Sequence, residues 1–220
     1  MIITTLSALW RILGKSCKGK VMKTLEDVKQ VFDKNNGFLR TKQLYENHIF
    51  YNDIRKFIQE GFVEKIRYGY YQWTNLDNPS DVFLINHLFP DGILCMDTAL
   101  YYHGYSDRIS QSWHIAVSKD SSKSRFKLDY PFIKPYYIEP SLLNVGITVG
   151  DIDSNQVRIY DKERTICDCL RYERKMDKEI FNKAIRNYIS DSSKNIPVLM
   201  DYARKFRVSQ KVKNIIGVWL

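Results

Sequence analysis

Residues 49–73 read IFYNDIRKFIQEGFVEKIRYGYYQW, and the spacing of their apolar positions changes once, at Gly61. Before that glycine, Ile54, Phe57 and Ile58 recur at intervals that share one side of a helix over about residues 50–60. With about 100° of rotation per residue, Asn52, Arg55, Lys56 and Gln59 fall on the other side. After it, Phe62–Arg67 and Tyr70–Trp73 follow a period of two and read as strands flanking a Tyr68-Gly69 turn. The stretch is a helix with a polar, cationic outer face, followed by a basic hairpin.

Upstream, Leu25, Val28, Val31 and Phe32 have helical spacing, with Thr24 as N-cap and Asp27 three residues later. Asn35-Asn36-Gly37 ends this helix. Thr41 is placed to cap a short second helix carrying Leu44, and Asn47-His48 forms a turn before Ile49. Three helices and then a hairpin is the order of a winged helix-turn-helix. In that fold Asn52, Arg55, Lys56 and Gln59 would enter a major groove, because amide and guanidinium groups bond base edges and phosphates. Lys65, Arg67 and Tyr68 on the wing would touch the backbone of the duplex. The same fold used for protein contacts would leave Arg55 and Lys56 merely solvated.

Asn75–Pro79 reads as a domain boundary. The expected division is a leader over 1–21, a winged helix over 22–76 and a larger α/β domain over 77–220. Asn78-Pro79-Ser80 starts a helix carrying Val82, Ile85 and Leu88, broken by Pro90-Asp91-Gly92. Ile93–Tyr102 reads as a compact helix ending at His103-Gly104. Residues 113–160 have β character. Trp113–Val117 forms one strand, and a second within Pro131–Ile138 is interrupted by Pro135. Gly146–Val149 and Val157–Tyr160 form a pair joined by a turn over 151–155. Helices follow at about 161–173, 177–190, 196–206 and 208–217. The fold class is α+β, with a small antiparallel or mixed sheet and a helical tail.

Charge is unevenly spread. The net +9 divides into 13 Lys/Arg against 7 Asp/Glu to residue 76, 9 against 13 over 77–170, and 12 against 5 thereafter. A basic head, an acidic middle and a basic tail point to separate tasks rather than a uniformly adhesive surface. Met1–Leu13 is apolar but interrupted by Arg11, with no basic n-region or cleavage site, so it reads as a loose leader and Met22 is a second candidate start. No run approaches a membrane span. The four cysteines Cys17, Cys95, Cys167 and Cys169 lack metal-ligand spacing and read as reduced thiols of a cytoplasmic protein.

Three passages in order carry a family resemblance. GFVEKIRYGYYQW (61–73) looks like the family's wing, and ILCMDTALYYHGY (93–105) resembles its Ala-Leu-x-x-His-Gly helix end. YDKERTICDCLR (160–171) resembles its Glu-Arg-Thr-x-x-Asp-x-Leu-Arg signature. The chain resembles the abortive-infection antitoxins of the AbiEi type over about residues 24–220. The resemblance implies a transcriptional repressor of a phage-defence toxin–antitoxin operon. It would bind promoter inverted repeats as double-stranded DNA, two copies per operator, and counteract a nucleotidyltransferase-like toxin.

Within the signature, Glu163, Arg164, Asp168 and Arg171 share a helix, with Arg164 and Asp168 at i, i+4 and Thr165 and Ile166 facing the sheet. They either form a structural ion-pair network or contribute to a toxin-facing surface. Arg174, Lys178, Arg186, Arg204, Lys205 and Lys211 lead a cationic tail that could contact phosphates or receive an acidic toxin. Catalysis is not expected. Asp151-x-Asp153 lacks the upstream phosphate loop of a nucleotidyltransferase and fits a turn better. Asp161-Lys162-Glu163 lacks the nuclease order of carboxylate, spacer and lysine. His103 reads as a protonated cap on a helix C-terminus, His114 as a strand residue, and Cys95 as a small buried hydrophobe. No cofactor or metal is expected.

Overall fold

The computed structural model describes residues 24–217, apart from Tyr68, residues 75–79 and Asp129. The expected leader, Cys17, the Tyr68 half of the hairpin turn and the Asn78-Pro79 part of a helix start lie outside the described residues. The chain is α+β and divides into two compact units, Met1–Asp77 and Asn78–Leu220.

In the first unit, α1 (Leu25–Asp33) begins at Thr24, whose hydroxyl accepts from the Asp27 amide while Asp27 accepts from the Thr24 amide. These two bonds satisfy donors that a helix start otherwise leaves open. Asn36 (φ 52°) and Gly37 (φ 76°) turn the chain in the left-handed region. A three-residue strand, β1 (Phe38–Arg40), then precedes α2 (Thr41–Glu46). The expected Thr41 cap is corrected: the capping position is Arg40, whose amide donates to Gln43 Oε1 at 2.9 Å. α3 (Tyr51–Gln59) follows, then β2 (Val63–Arg67) and β3 (Tyr70–Trp73). The antiparallel sheet runs β1-β3-β2, with Phe38 opposite Gln72 and Val63 opposite Trp73. Val28, Phe32, Leu44, Ile54, Phe57 and Trp73 fill the space between helices and sheet.

The second unit is built on a five-stranded sheet in the order β6-β5-β4-β8-β7. Helix α4 (Asp81–Leu88) is capped by Ser80. The expected helix over Ile93–Tyr102 divides in two. Ile93–Leu94 is the short central strand β4, and α5 (Met96–Tyr102) starts only after Cys95. Both residues of β4 are buried between neighbouring strands, and a short apolar run carries no period that separates strand from helix. β5 (Trp113–Ser118) lies antiparallel to β4 and parallel to β6 (Ile133–Ile138). Pro135 does not interrupt β6 as expected. It pairs through opposite Ile115, because an edge strand has one row of amides that need no partner. After α6 (Pro140–Leu143), β7 (Ile147–Ile152) and β8 (Asn155–Tyr160) form a tighter hairpin than expected. Its turn is only Asp153-Ser154, at φ 51° and 60°, the double positive φ that a two-residue hairpin favours.

Helix α7 (Lys162–Tyr172) is buried on every side over residues 163–170. It packs among α5, α8 (Lys178–Ser190) and α9 (Ile196–Lys205), and α10 (Ser209–Lys211) runs into a π-helical turn, Val212–Ile216. Among the described residues no helix is long and apolar enough to cross a membrane.

Candidate nucleic-acid interface

The outer face of α3 follows from its inner one. Ile54 and Phe57 are buried in the core of the first unit and Ile58 packs against it, which turns Asn52, Arg55, Lys56 and Gln59 outward, all four exposed. Asp53 is drawn back to the helix start, where its carboxylate accepts from the Phe50 amide at 2.9 Å. Lys56 Nζ lies 3.8 Å from Glu60, an exposed pair that solvent screens and another partner can displace. Arg55 makes no ion pair among the described residues.

On the hairpin, Lys65 is exposed, whereas Arg67 is half-buried with its guanidinium carbon 4.2 Å from the centroid of the Tyr70 ring. Arg40, from β1, approaches the same ring at 5.5 Å. Such stacking leaves guanidinium edges able to donate while holding the side chain in place. The third expected wing residue, Tyr68, lies outside the described residues. Two aromatics escaped the sequence reading: Tyr45 and Tyr51 are 49% and 61% exposed and line a shallow hollow with Phe50 and Asn52. Periodicity gives no signal for them: Tyr51 is three residues before Ile54, on the apolar side of the wheel, and is exposed because it opens the first turn of α3.

The charge of this unit is local rather than general. Residues 24–74 carry 8 Lys/Arg and 7 Asp/Glu, and five of the 13 cations counted to residue 76 precede residue 24. Three of the seven carboxylates, Glu26, Asp27 and Asp33, lie on α1.

The Glu-Arg-Thr signature is interior. Arg164 is wholly buried and Asp168 and Glu163 nearly so, which overturns the toxin-facing alternative for these three residues. Arg164 donates from Nε to Asp168 (3.0 Å) and from Nη1 to the carbonyls of Leu142 and Val145 (both 2.8 Å). Its guanidinium lies between the rings of Tyr160 and Phe206, at 4.1 and 3.9 Å. The bonds from Nη1 therefore tie α7 to α6 and the loop after it, while Asp168 holds the guanidinium from within α7. Glu163 accepts from the Asn195 amide at 2.8 Å, anchoring the start of α9. Arg171 alone of the signature is exposed.

The tail cations divide into two sets. Arg204 and Lys205 share Asp201 (3.2 and 2.7 Å), and Lys211 donates to Glu173 (2.7 Å) and the Leu170 carbonyl. Arg174, Lys178 and Arg186 are exposed with no ion pair among the described residues.

The residues weighed for chemistry are kept apart. Asp161 caps α7 by accepting from the Arg164 amide (2.7 Å), and Lys162 pairs with Asp191 (2.7 Å). Asp161 also accepts from Tyr202 of α9 at 3.0 Å and Glu163 bonds the start of α9, so each of the three is engaged by structural partners. His103 stands at the C-cap of α5 as expected, but not as a protonated group: burial holds its pKa below the usual value, and Nε2 bonds the Tyr160 carbonyl at 2.8 Å. A neutral ring donating there joins α5 to β8. His114 Nδ1 accepts from the Asp97 amide at 3.2 Å, so its proton sits on Nε2, 3.5 Å from Ser110 Oγ. With Nε2 protonated it cannot take a proton from that hydroxyl. Cys95, Cys167 and Cys169 are buried free thiols, and burial pushes all three pKa values up. Among the described residues no three His, Cys, Asp or Glu converge as a metal-binding group. No protein-family model matches this sequence, and comparison with curated proteins finds no match.

Proposed function

We propose that this chain is a cytoplasmic DNA-binding regulator of the AbiEi antitoxin type, acting by binding rather than by catalysis. The first unit would be its winged helix, with α3 as the helix that enters the major groove and β2–β3 as the wing. The observation that carries this reading is the outer face of α3. Asn52, Arg55, Lys56 and Gln59 project from a helix whose opposite face is locked into a core, and a hairpin with Lys65 and Arg67 follows. The element order α1-β1-α2-α3-β2-β3 and the sheet order β1-β3-β2 are those of a winged helix, which supports the assignment. On this reading two copies bind promoter inverted repeats, and the second unit counteracts a nucleotidyltransferase-like toxin.

A gel-shift titration of the duplex upstream of the chain's own reading frame tests the proposal. The full chain is expected to shift it, and Arg55→Ala/Lys56→Ala to weaken the shift at least tenfold. Unchanged affinity at moderate salt in that variant would remove α3 from the interface.

A second reading is favoured by the near balance of charge over residues 24–74 and by the exposed Tyr45 and Tyr51. Aromatic side chains with little net charge are the usual composition of a protein-binding patch. The chain would then neutralise a toxin without reading DNA. Co-expression separates the two: rescue from the toxin by Arg55→Ala/Lys56→Ala without operon repression is expected of the first reading. Loss of rescue in Tyr51→Ala, with no DNA shift by the wild type, is expected of the second.

A further inference from the structure

The second unit holds a pocket of about 420 Å³ at the end of α5, bounded by the loop that follows, by β5 and by β7. Three aromatic rings, those of Tyr101, Tyr102 and Trp113, line it together with Ile109, Ser110 and Asp151. Ile109 is 71% exposed at the pocket's rim.

Its walls are fixed from behind. The Trp113 indole N–H donates to Asp81 at 2.9 Å, which sets the plane of the ring. Tyr102 lies directly over Gly150, where a Cβ would come within 2.8 Å of the phenol carbon and 2.9 Å of the hydroxyl. Ser110 Oγ accepts from the Ser112 amide at 3.3 Å and faces the protonated nitrogen of His114. A pocket whose side chains are already held loses little ordering entropy when a ligand enters.

Its charge has one sign. Among the described residues no lysine, arginine or histidine lines the pocket, and Asp151 is the charged group that does. That carboxylate is exposed and makes no ion pair among the described residues. Ring faces and a carboxylate both attract a cation, and both repel phosphate or carboxylate ligands. A neutral apolar ligand would gain the rings but leave Asp151 without a counter-charge.

We propose that this pocket binds a small organic cation, an alkylammonium or guanidinium compound seated against Tyr101, Tyr102 and Trp113 with its charge toward Asp151. The inference rests on the second unit alone and does not depend on the DNA-binding reading.

Calorimetric titration of the full chain with choline and with ethylguanidinium tests it, the Trp113 indole N–H resonance reporting where they bind. Saturable binding of at least one cation is expected, with 3,3-dimethylbutan-1-ol, the neutral isostere of choline, binding at least fivefold more weakly. Asp151→Asn should weaken the cation about tenfold, as should Tyr102→Leu, which keeps apolar volume but removes the ring. Asp151 is exposed, so an unchanged thermal midpoint verifies that this variant is folded. Equal binding of the isostere, an unaffected Asp151→Asn variant, or no saturable binding of either cation below about 10 mM would each overturn the proposal. So would tenfold tighter binding of a capped Gly-Lys-Gly or Gly-Arg-Gly peptide, which would make the site one for a protein partner.

Discussion

Gly146 and Arg164 touch so closely that a Cβ on the glycine would lie 2.6 Å from Cβ of the arginine. Gly146 also has φ 77°, a conformation other residues adopt only with strain. Its lack of a side chain is what lets the loop after α6 bring the Val145 carbonyl onto the buried guanidinium. Gly146→Ala should therefore cost about 2–4 kcal/mol, from backbone strain and overpacking together. Urea unfolding would measure it; a loss under 1 kcal/mol would show that the loop yields easily.

The Arg164–Asp168 pair makes a different prediction. Arg164→Met alone leaves Asp168 and two carbonyls buried without their donor, and should cost about 3–5 kcal/mol. Arg164→Met with Asp168→Leu removes both charges and should recover part of that loss. A double-mutant cycle on stability measures the coupling. Additive losses would mean that the two side chains do not depend on each other.

The two sets of tail cations provide a test of how far any DNA contact extends. If the tail meets phosphates, Arg174→Ala and Lys178→Ala should each flatten the slope of log affinity against log salt by about one. Arg204→Ala and Lys205→Ala should change it less, since each cation would first have to exchange Asp201 for a phosphate. Slopes unchanged from the parent in all four variants would place the tail away from the duplex.

His114 gives the expected pH dependence. Burial holds its imidazole down to about 3, with Lys134 adding to the effect. Tyr136, Ser110 and the Asp97 carboxylate (3.9 Å from Nδ1) also face the ring. The unfolded chain takes up a proton near the ordinary pKa of 6.5, while the folded chain resists doing so. Stability is therefore lost as pH falls below about 6.5, at up to about 1.4 kcal/mol per pH unit from this residue. Comparing His114→Gln with the parent between pH 7 and 4 isolates its share. The variant should lose less stability over that range, and parallel curves would show that the ring is protonated in the fold.

Periodicity made the first unit readable. Ile54, Phe57 and Ile58 recur on one side of a helix, and that alone predicts which way Arg55 and Lys56 point. Ile93–Leu94 resisted reading because two apolar residues have no period; only their neighbours in the sheet make them a strand. For Arg164 the i, i+4 spacing predicts the pair with Asp168 but not which way it faces, for a related reason. A helix buried all round carries its polar residues inward, and the partners that make this tolerable come from residues 142, 145, 160 and 206. The pocket was invisible for the same cause, since Tyr102, Trp113 and Asp151 meet only through the sheet.

Pro135 has a consequence for the behaviour of the molecule in concentrated solution. It stands midway along β6, an outermost strand of the larger sheet, and offers no N–H at that point of the open rim. A foreign strand laid along that rim would miss a rung of its ladder there, so fibril-like stacking through this border is discouraged by a single imino acid.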